Sequence, residues 1–85
     1  MMIDVRDHRE KHSGFIAGAQ EIHIGELDEV LDDMDLSLQY VPFCSSGYRG
    51  NMACSIMKRK GFDNVSNLMG GFNGWRNAGL PILKD

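Results

Sequence analysis

Cysteine, proline and long apolar runs are all scarce in this 85-residue chain. Its two cysteines, Cys44 and Cys54, are too few for a disulfide framework and lack the Cys-x-x-Cys spacing of many zinc sites. The three histidines are not spaced with them as metal ligands, so neither a metal nor another cofactor is expected. No apolar run approaches the roughly 18 residues that span a bilayer, and the charged first residues do not resemble an export signal. We therefore expect no membrane association.

Excess positive charge is also lacking, since the net charge is −3 at pH 7 and the isoelectric point is near 5.5. The only basic run, Lys58–Lys60, falls at the end of a predicted helix, where cations complement the helix dipole. Nucleic acid is therefore not an expected partner. The length is that of a single small domain.

Short β-prone stretches alternate with helical patterns along the chain. Strands are predicted at Met2–Val5, around Glu21–Ile22, at Tyr40–Phe43 and at Val65–Leu68. Helices are predicted at Asp7–Ser13, Glu26–Met34, Gly50–Lys60 and Phe72–Ala78. Pro42 lacks an N–H group, which predicts a distorted third strand or a gap in its ladder. The alternation predicts an α/β fold with a parallel sheet of about four strands flanked by helices on both faces.

Six residues between the third strand and the following helix carry the strongest chemical signal: Cys44, Ser45, Ser46, Gly47, Tyr48 and Arg49. In a parallel sheet this segment lies at the carboxyl ends of the strands, where ligands gather. Small residues and a helix N-terminus can surround a thiol with N–H groups, and this favours the nucleophilic thiolate. Arg49 adds a permanent charge that can hold an anion. The alternative to a reactive thiolate is that Cys44 is simply a buried cysteine that packs as an apolar residue.

Four segments in order resemble the rhodanese-like (single-domain sulfurtransferase) family. Ile3–Arg6 is similar to its Asp-Val-Arg strand end, and Glu10 lies where the family often has an acidic residue. Gly14–Ala19 is similar to its Gly-His-Ile-Pro-Gly-Ala turn. The other two segments, Cys44–Arg49 and Gly61–Pro81, are similar to its Cys-x-x-Gly-x-Arg active loop and to its closing Gly-Gly-x-x-x-Trp region.

The resemblance implies a rhodanese-like fold over residues 1–85 and a sulfurtransferase in which Cys44 carries a persulfide. Sulfur would pass from thiosulfate or a persulfide donor to cyanide or a thiol acceptor. Ser45–Arg49 would hold the sulfur through backbone N–H groups, and Arg49 would fix the loop and orient an anionic donor. Four residues separate Cys44 from Arg49, one fewer than in phosphatases and arsenate reductases of this fold, which disfavours those activities. Ser45 stands where thiosulfate-using members often have a basic residue, so the donor is alternatively a persulfide or polysulfide.

Supporting roles are expected for Asp4, as a hydrogen-bond anchor of the loop, and for Arg6, either beside the pocket or as a solvated charge. Cys54 is either a core residue or a thiol that resolves an oxidised or persulfidated Cys44. The family's usual first strand and helix are expected to be missing. This motivates an alternative function, a non-catalytic sulfur carrier or binding module fused to or partnered with another protein. A thiol that must stay reduced, with no export signal, predicts a cytoplasmic location.

Overall fold

The computed structural model describes residues 1–84; Asp85, the last residue of the predicted domain, lies outside the described residues. The strands are β1 (Met2–Asp4), β2 (Gln20–Glu21) and β3 (Val41–Phe43). The α-helices are α1 (Ile24–Val30), α2 (Tyr48–Arg59) and α3 (Gly71–Asn77), and short 3-10 helices cover His8–Ser13 and Leu31–Asp33. Within the described chain, no helix is long and apolar enough to cross a membrane.

The sheet is parallel, as predicted, with β1 between β2 and β3. Three strands form rather than four, because the segment predicted as the fourth contributes only a parallel bridge between Val65 and Tyr40. Tyr40 exchanges backbone hydrogen bonds with this segment, whereas Val41 bonds to the strand on its other side. Alternation places the nitrogen of Pro42 on the side of the Val65 segment, where it has no N–H to donate. The predicted ladder gap at Pro42 therefore explains the shortened fourth strand.

Helices cover both faces of the sheet, which confirms the α/β architecture. Side chains alternate between faces along a strand. Ile3 and Val5 join a core cluster with Leu27 of α1 and Met57 of α2. On the opposite face, Met2 packs with a second set of buried residues: Ile16, Phe43 and Phe72. The second set attaches α3 to the sheet, directly beneath the carboxyl end of β3.

Local signals in the sequence set several helix ends. Asp7 caps the first 3-10 helix, and its side chain forms a reciprocal capping box with Glu10. At the end of α2, Phe62 N–H donates to the Met57 carbonyl and Gly61, at φ 100°, reverses the chain. The predicted helix over Glu26–Met34 instead divides into α1 and a 3-10 turn.

Candidate active site

The segment that follows β3 turns sharply and enters α2 within four residues. Gly47 adopts a φ of 119° immediately before the first residue of α2, a conformation that favours glycine. Cys44 thus lies at the carboxyl end of a strand and at the base of a helix N-terminus, as the sequence predicted. We call Cys44–Arg49 the active loop.

Backbone N–H groups converge on the Cys44 sulfur. The Gly47 N–H donates to Sγ at 3.1 Å, and the Gly50 N–H donates at 3.4 Å. Burial of the side chain, which is 1% exposed, tends to raise the pKa of the Cys44 thiol. The N–H groups of Gly50, Gly47, Ser46 and Arg49 lower it, and together they outweigh the burial, so the pKa lies below its usual value of 9.0. The site stabilises a thiolate.

Cys54 shows what burial does without such donors. It is 9% exposed and, like Cys44, is a free cysteine. Burial raises the pKa of the Cys54 thiol, and Lys58 only partly offsets this effect. Cys54 packs in the core cluster. Both thiols are therefore buried, but only Cys44 is activated, and the difference comes from its hydrogen-bond donors.

The carbonyl groups of the active loop point away from the sulfur because other segments hold them. The N–H groups of the second and third residues of α3 donate to the loop carbonyls: Phe72 N to Cys44 O at 2.7 Å and Asn73 N to Ser45 O at 2.9 Å. Gly71 makes this approach possible, since a Cβ at this position would lie 2.5 Å from Cys44 O. With its carbonyls bound outside, the loop directs its N–H groups inward.

Asn67 holds the other end of the loop. Its Nδ2 donates to Gly47 O at 3.3 Å and to Asn51 Oδ1 at 3.0 Å, which ties the loop to the first turn of α2. Its Oδ1 is buried without a hydrogen-bond partner and faces Gly50, where a Cβ would lie within 2.3 Å of it. A side chain at position 50 would thus displace Asn67 from the loop.

Arg49 is bound by a carboxylate. Its Nη1 and Nη2 donate to Glu10 Oε1 at 2.5 Å and Oε2 at 3.0 Å, and Ser45 Oγ donates to the same carboxylate at 2.6 Å. The Arg49 hydrogen bonds lower the pKa of Glu10 to about 2, against the opposing effect of burial, and Ser45 contributes in the same direction. The bond to Glu10 raises the pKa of Arg49, and attraction to the Cys44 thiolate adds to this effect. Arg49 is therefore held by Glu10, which also binds the Ser45 side chain of the loop.

Asp4 and Arg6 form a buried pair behind the loop. The Arg6 guanidinium donates to both carboxylate oxygens of Asp4 at 2.9–3.1 Å and to Gly14 O at 2.8 Å. Its Cζ lies 4.2 Å from the centre of the Phe72 ring. The hydrogen bonds found for the Asp4 side chain come from Arg6 and not from the loop, so the predicted role of Asp4 as a hydrogen-bond anchor of the loop is wrong. Of the two alternatives for Arg6, the solvated charge is wrong, since Arg6 is 4% exposed.

Of the remaining loop residues, Ser46 helps to lower the pKa of Cys44 through its backbone N–H, whereas no such hydrogen bond is found for Tyr48. Ser46 and Tyr48 are exposed, and Tyr48 is 74% accessible. Sequence reasoning did not assign roles to Gly50, Asn67 or Gly71. A strict requirement for glycine is a signal that could have identified Gly50 and Gly71. The hydrogen bonds of Asn67, in contrast, are visible only in three dimensions.

Three comparisons relate this chain to known proteins. Residues 1–78 match the family model described as the rhodanese-like domain. The chain is 34% identical over 80 residues to YtwF of Bacillus subtilis, whose name proposes a sulfurtransferase, covering 94% of this chain and 77% of that protein. It is 29% identical over 82 residues to the thiosulfate sulfurtransferase GlpE of Actinobacillus succinogenes, covering 96% and 74%. The structure of a rhodanese-related protein from Thermoplasma volcanium superposes with a TM-score of 0.92 at 28% identity, covering 100% of this chain and 84% of that one.

Proposed function

This chain belongs to the rhodanese-like domain family, and from that premise we propose that it transfers sulfane sulfur through a persulfide on Cys44. The observation that supports the proposal is the set of backbone N–H groups around the Cys44 sulfur. Sγ accepts hydrogen bonds from Gly47 and Gly50, and the pKa of the thiol is lowered in spite of burial. Donors are thiosulfate or a persulfide, and acceptors are cyanide or a thiol.

In the first half-reaction the Cys44 thiolate attacks the outer sulfur of the donor. A new S–S bond forms to Cys44, and the donor's own S–S bond breaks. The leaving group takes the electron pair, as sulfite from thiosulfate or as a thiolate from a persulfide. In the second half-reaction the acceptor attacks the outer sulfur of the Cys44 persulfide and releases the Cys44 thiolate. The N–H groups that converge on Sγ stabilise this sulfur whenever it carries negative charge.

The burial of Cys44 favours donors that present a single terminal sulfur atom. Because the side chain is 1% exposed, only a slender terminal atom can reach Sγ with little displacement of the loop. The nitrogens of the Gly47 and Gly50 N–H groups already lie 3.1 and 3.4 Å from the sulfur itself. A tetrahedral oxyanion held between them would need a wider loop, which is the argument against a phosphatase or arsenate reductase.

Loading followed by intact mass measurement tests the proposal. Incubation with thiosulfate or a low-molecular-weight persulfide should add the mass of one sulfur atom to the wild type and to Cys54→Ser, but not to Cys44→Ser. Formation of thiocyanate when cyanide is added would support an enzyme. Loading without turnover would support the alternative, a sulfur carrier that acts with a fused or partner protein. No loading from either donor would refute sulfur transfer.

Two further features of the proposed function rest on the sequence alone. The physiological donor and acceptor are proposed as small molecules, and a fused or partner protein is proposed as a further partner. The cytoplasmic location stays a prediction.

A further inference from the structure

The charge of the active loop is neutralised by a residue outside it. Arg49 is the only basic residue among the six residues of the loop. Both of its terminal nitrogens bind the Glu10 carboxylate, at 2.5 and 3.0 Å, and a third hydrogen bond from Ser45 completes the pairing. This is the bidentate geometry that a guanidinium would otherwise offer to an anionic ligand. Glu10 occupies it.

The charges of the side chains on the surface beside the loop are balanced in the same way. A depression of about 510 Å³ is lined by two carboxylates, two guanidiniums and one imidazole: Asp7, Glu10, Arg9, Arg49 and His23. Arg9 pairs with Asp7, with 3.2 Å between Nε and Oδ1. The charges of the two carboxylates and the two guanidiniums sum to zero. The side chains around the depression therefore supply no net positive charge, and backbone N–H groups near the loop are already bound to the Cys44 sulfur.

We infer that Glu10 is a specificity-determining residue that turns this site away from dianionic donors such as thiosulfate and towards persulfides that carry at most one negative charge. The inference rests on the proposed sulfur transfer. A donor must approach a thiolate, and the repulsion grows with the charge of the donor. A free guanidinium would offset that repulsion for a dianion, whereas a guanidinium paired with Glu10 does not.

The chemistry is balanced for either donor. With a persulfide, Cys44 gains the terminal sulfur and a thiolate leaves with the electron pair of the broken S–S bond. With thiosulfate, Cys44 gains the outer sulfur atom of thiosulfate, and sulfite leaves with the electron pair of the broken S–S bond. The charge on the donor and the leaving group is what distinguishes the two reactions at this site.

Initial rates of Cys44 loading test the inference. The two donors are thiosulfate and 2-hydroxyethyl persulfide, whose only ionisable group is the persulfide. Glu10→Gln should raise the ratio of kcat/KM for thiosulfate to that for the persulfide by about tenfold. Gln at this position retains an oxygen for the capping box. The matched control is Glu29→Gln, which removes the same charge from an exposed position on α1 and should change the ratio by no more than about twofold.

A second variant keeps the test independent of the Glu10 network. Ser46→Lys adds an unpaired cation at an exposed loop position while retaining the backbone N–H, and it should shift the ratio in the same direction. The inference is overturned if this ratio is unchanged in Ser46→Lys, or in a Glu10→Gln protein that retains the wild-type circular dichroism spectrum. Loading of the wild type by neither donor would instead refute the proposed sulfur transfer, and the inference with it.

Discussion

Gly71→Ala should loosen the active loop from outside the loop itself. Gly71 has a φ of 59°, and an added Cβ would lie 2.5 Å from Cys44 O and 2.8 Å from Ser45 O. Carbon–oxygen contacts ordinarily lie at about 3.3–3.6 Å, so the two backbones must separate by roughly 0.8 Å. That separation breaks or stretches the bonds from Phe72 N and Asn73 N to the loop carbonyls.

The expected loss of stability combines two effects. A left-handed conformation costs a non-glycine residue about 1–2 kcal/mol. Weakening two backbone hydrogen bonds adds about 1–3 kcal/mol. The sum, about 2–5 kcal/mol, is smaller than or comparable to the total stability of a typical domain, about 5–15 kcal/mol. Gly71→Ala should therefore fold, with a loop whose N–H groups point less accurately at Sγ and with a higher pKa for Cys44.

Urea unfolding and ultraviolet titration of the thiolate measure the two consequences. The matched control is Gly79→Ala, because Gly79 has a φ of 77° and a Cβ there would meet nothing within 4 Å. It should lose only the conformational part, about 1–2 kcal/mol, and keep the wild-type pKa of Cys44. Equal destabilisation of both variants, with an unchanged thiol pKa in Gly71→Ala, would refute the idea that α3 shapes the loop.

Two other perturbations separate the supports of the loop. Asn67→Ala removes the donors to Gly47 O and to α2, so it should raise the pKa of the Cys44 thiol and cost about 1–2 kcal/mol. The exposed Asn64→Ala should leave that pKa unchanged. A thiol titration identical to wild type in Asn67→Ala would contradict the role of Asn67 in holding the loop. The pKa of Glu10 is lowered from 4.5 to about 2 in the folded protein, so its carboxylate contributes stability that is present above pH 4.5 and is lost as the pH falls through about 2. The difference in unfolding free energy between wild type and Glu10→Gln should therefore shrink between these pH values, and a difference that is constant with pH would count against the Arg49 pairing.

Much of the fold follows from local patterns in the sequence. Strand–helix alternation predicts the parallel sheet, and Gly61 followed by Phe62 predicts the end of α2. The fourth strand is predicted less well, because its apolar pattern does not show that Pro42 faces it from the neighbouring strand. Pairing across strands depends on which edge a nitrogen occupies, and a linear sequence does not contain that information.

The active loop follows from the sequence, but the residues that support it do not. Cys44 and Arg49 are recognisable by their spacing, and Glu10 by its resemblance to the family. That Glu10 binds Arg49 across 39 positions of sequence follows from packing. Packing also decides that Asn67 and the N–H groups of Phe72 and Asn73 hold the loop carbonyls, which Gly71 allows to approach. Burial of Cys44 would by itself suggest an inert cysteine, and only the positions of the surrounding N–H groups reverse that conclusion.

The most direct test of the account is the ionisation of Cys44 in Cys54→Ser, where it is the sole thiol. Titration of thiolate absorbance should give a midpoint clearly below the ordinary 9.0, and sulfur loading should rise with pH through the same midpoint. A midpoint at or above 9.0, as burial alone would produce, would contradict the claim that backbone N–H groups activate this sulfur.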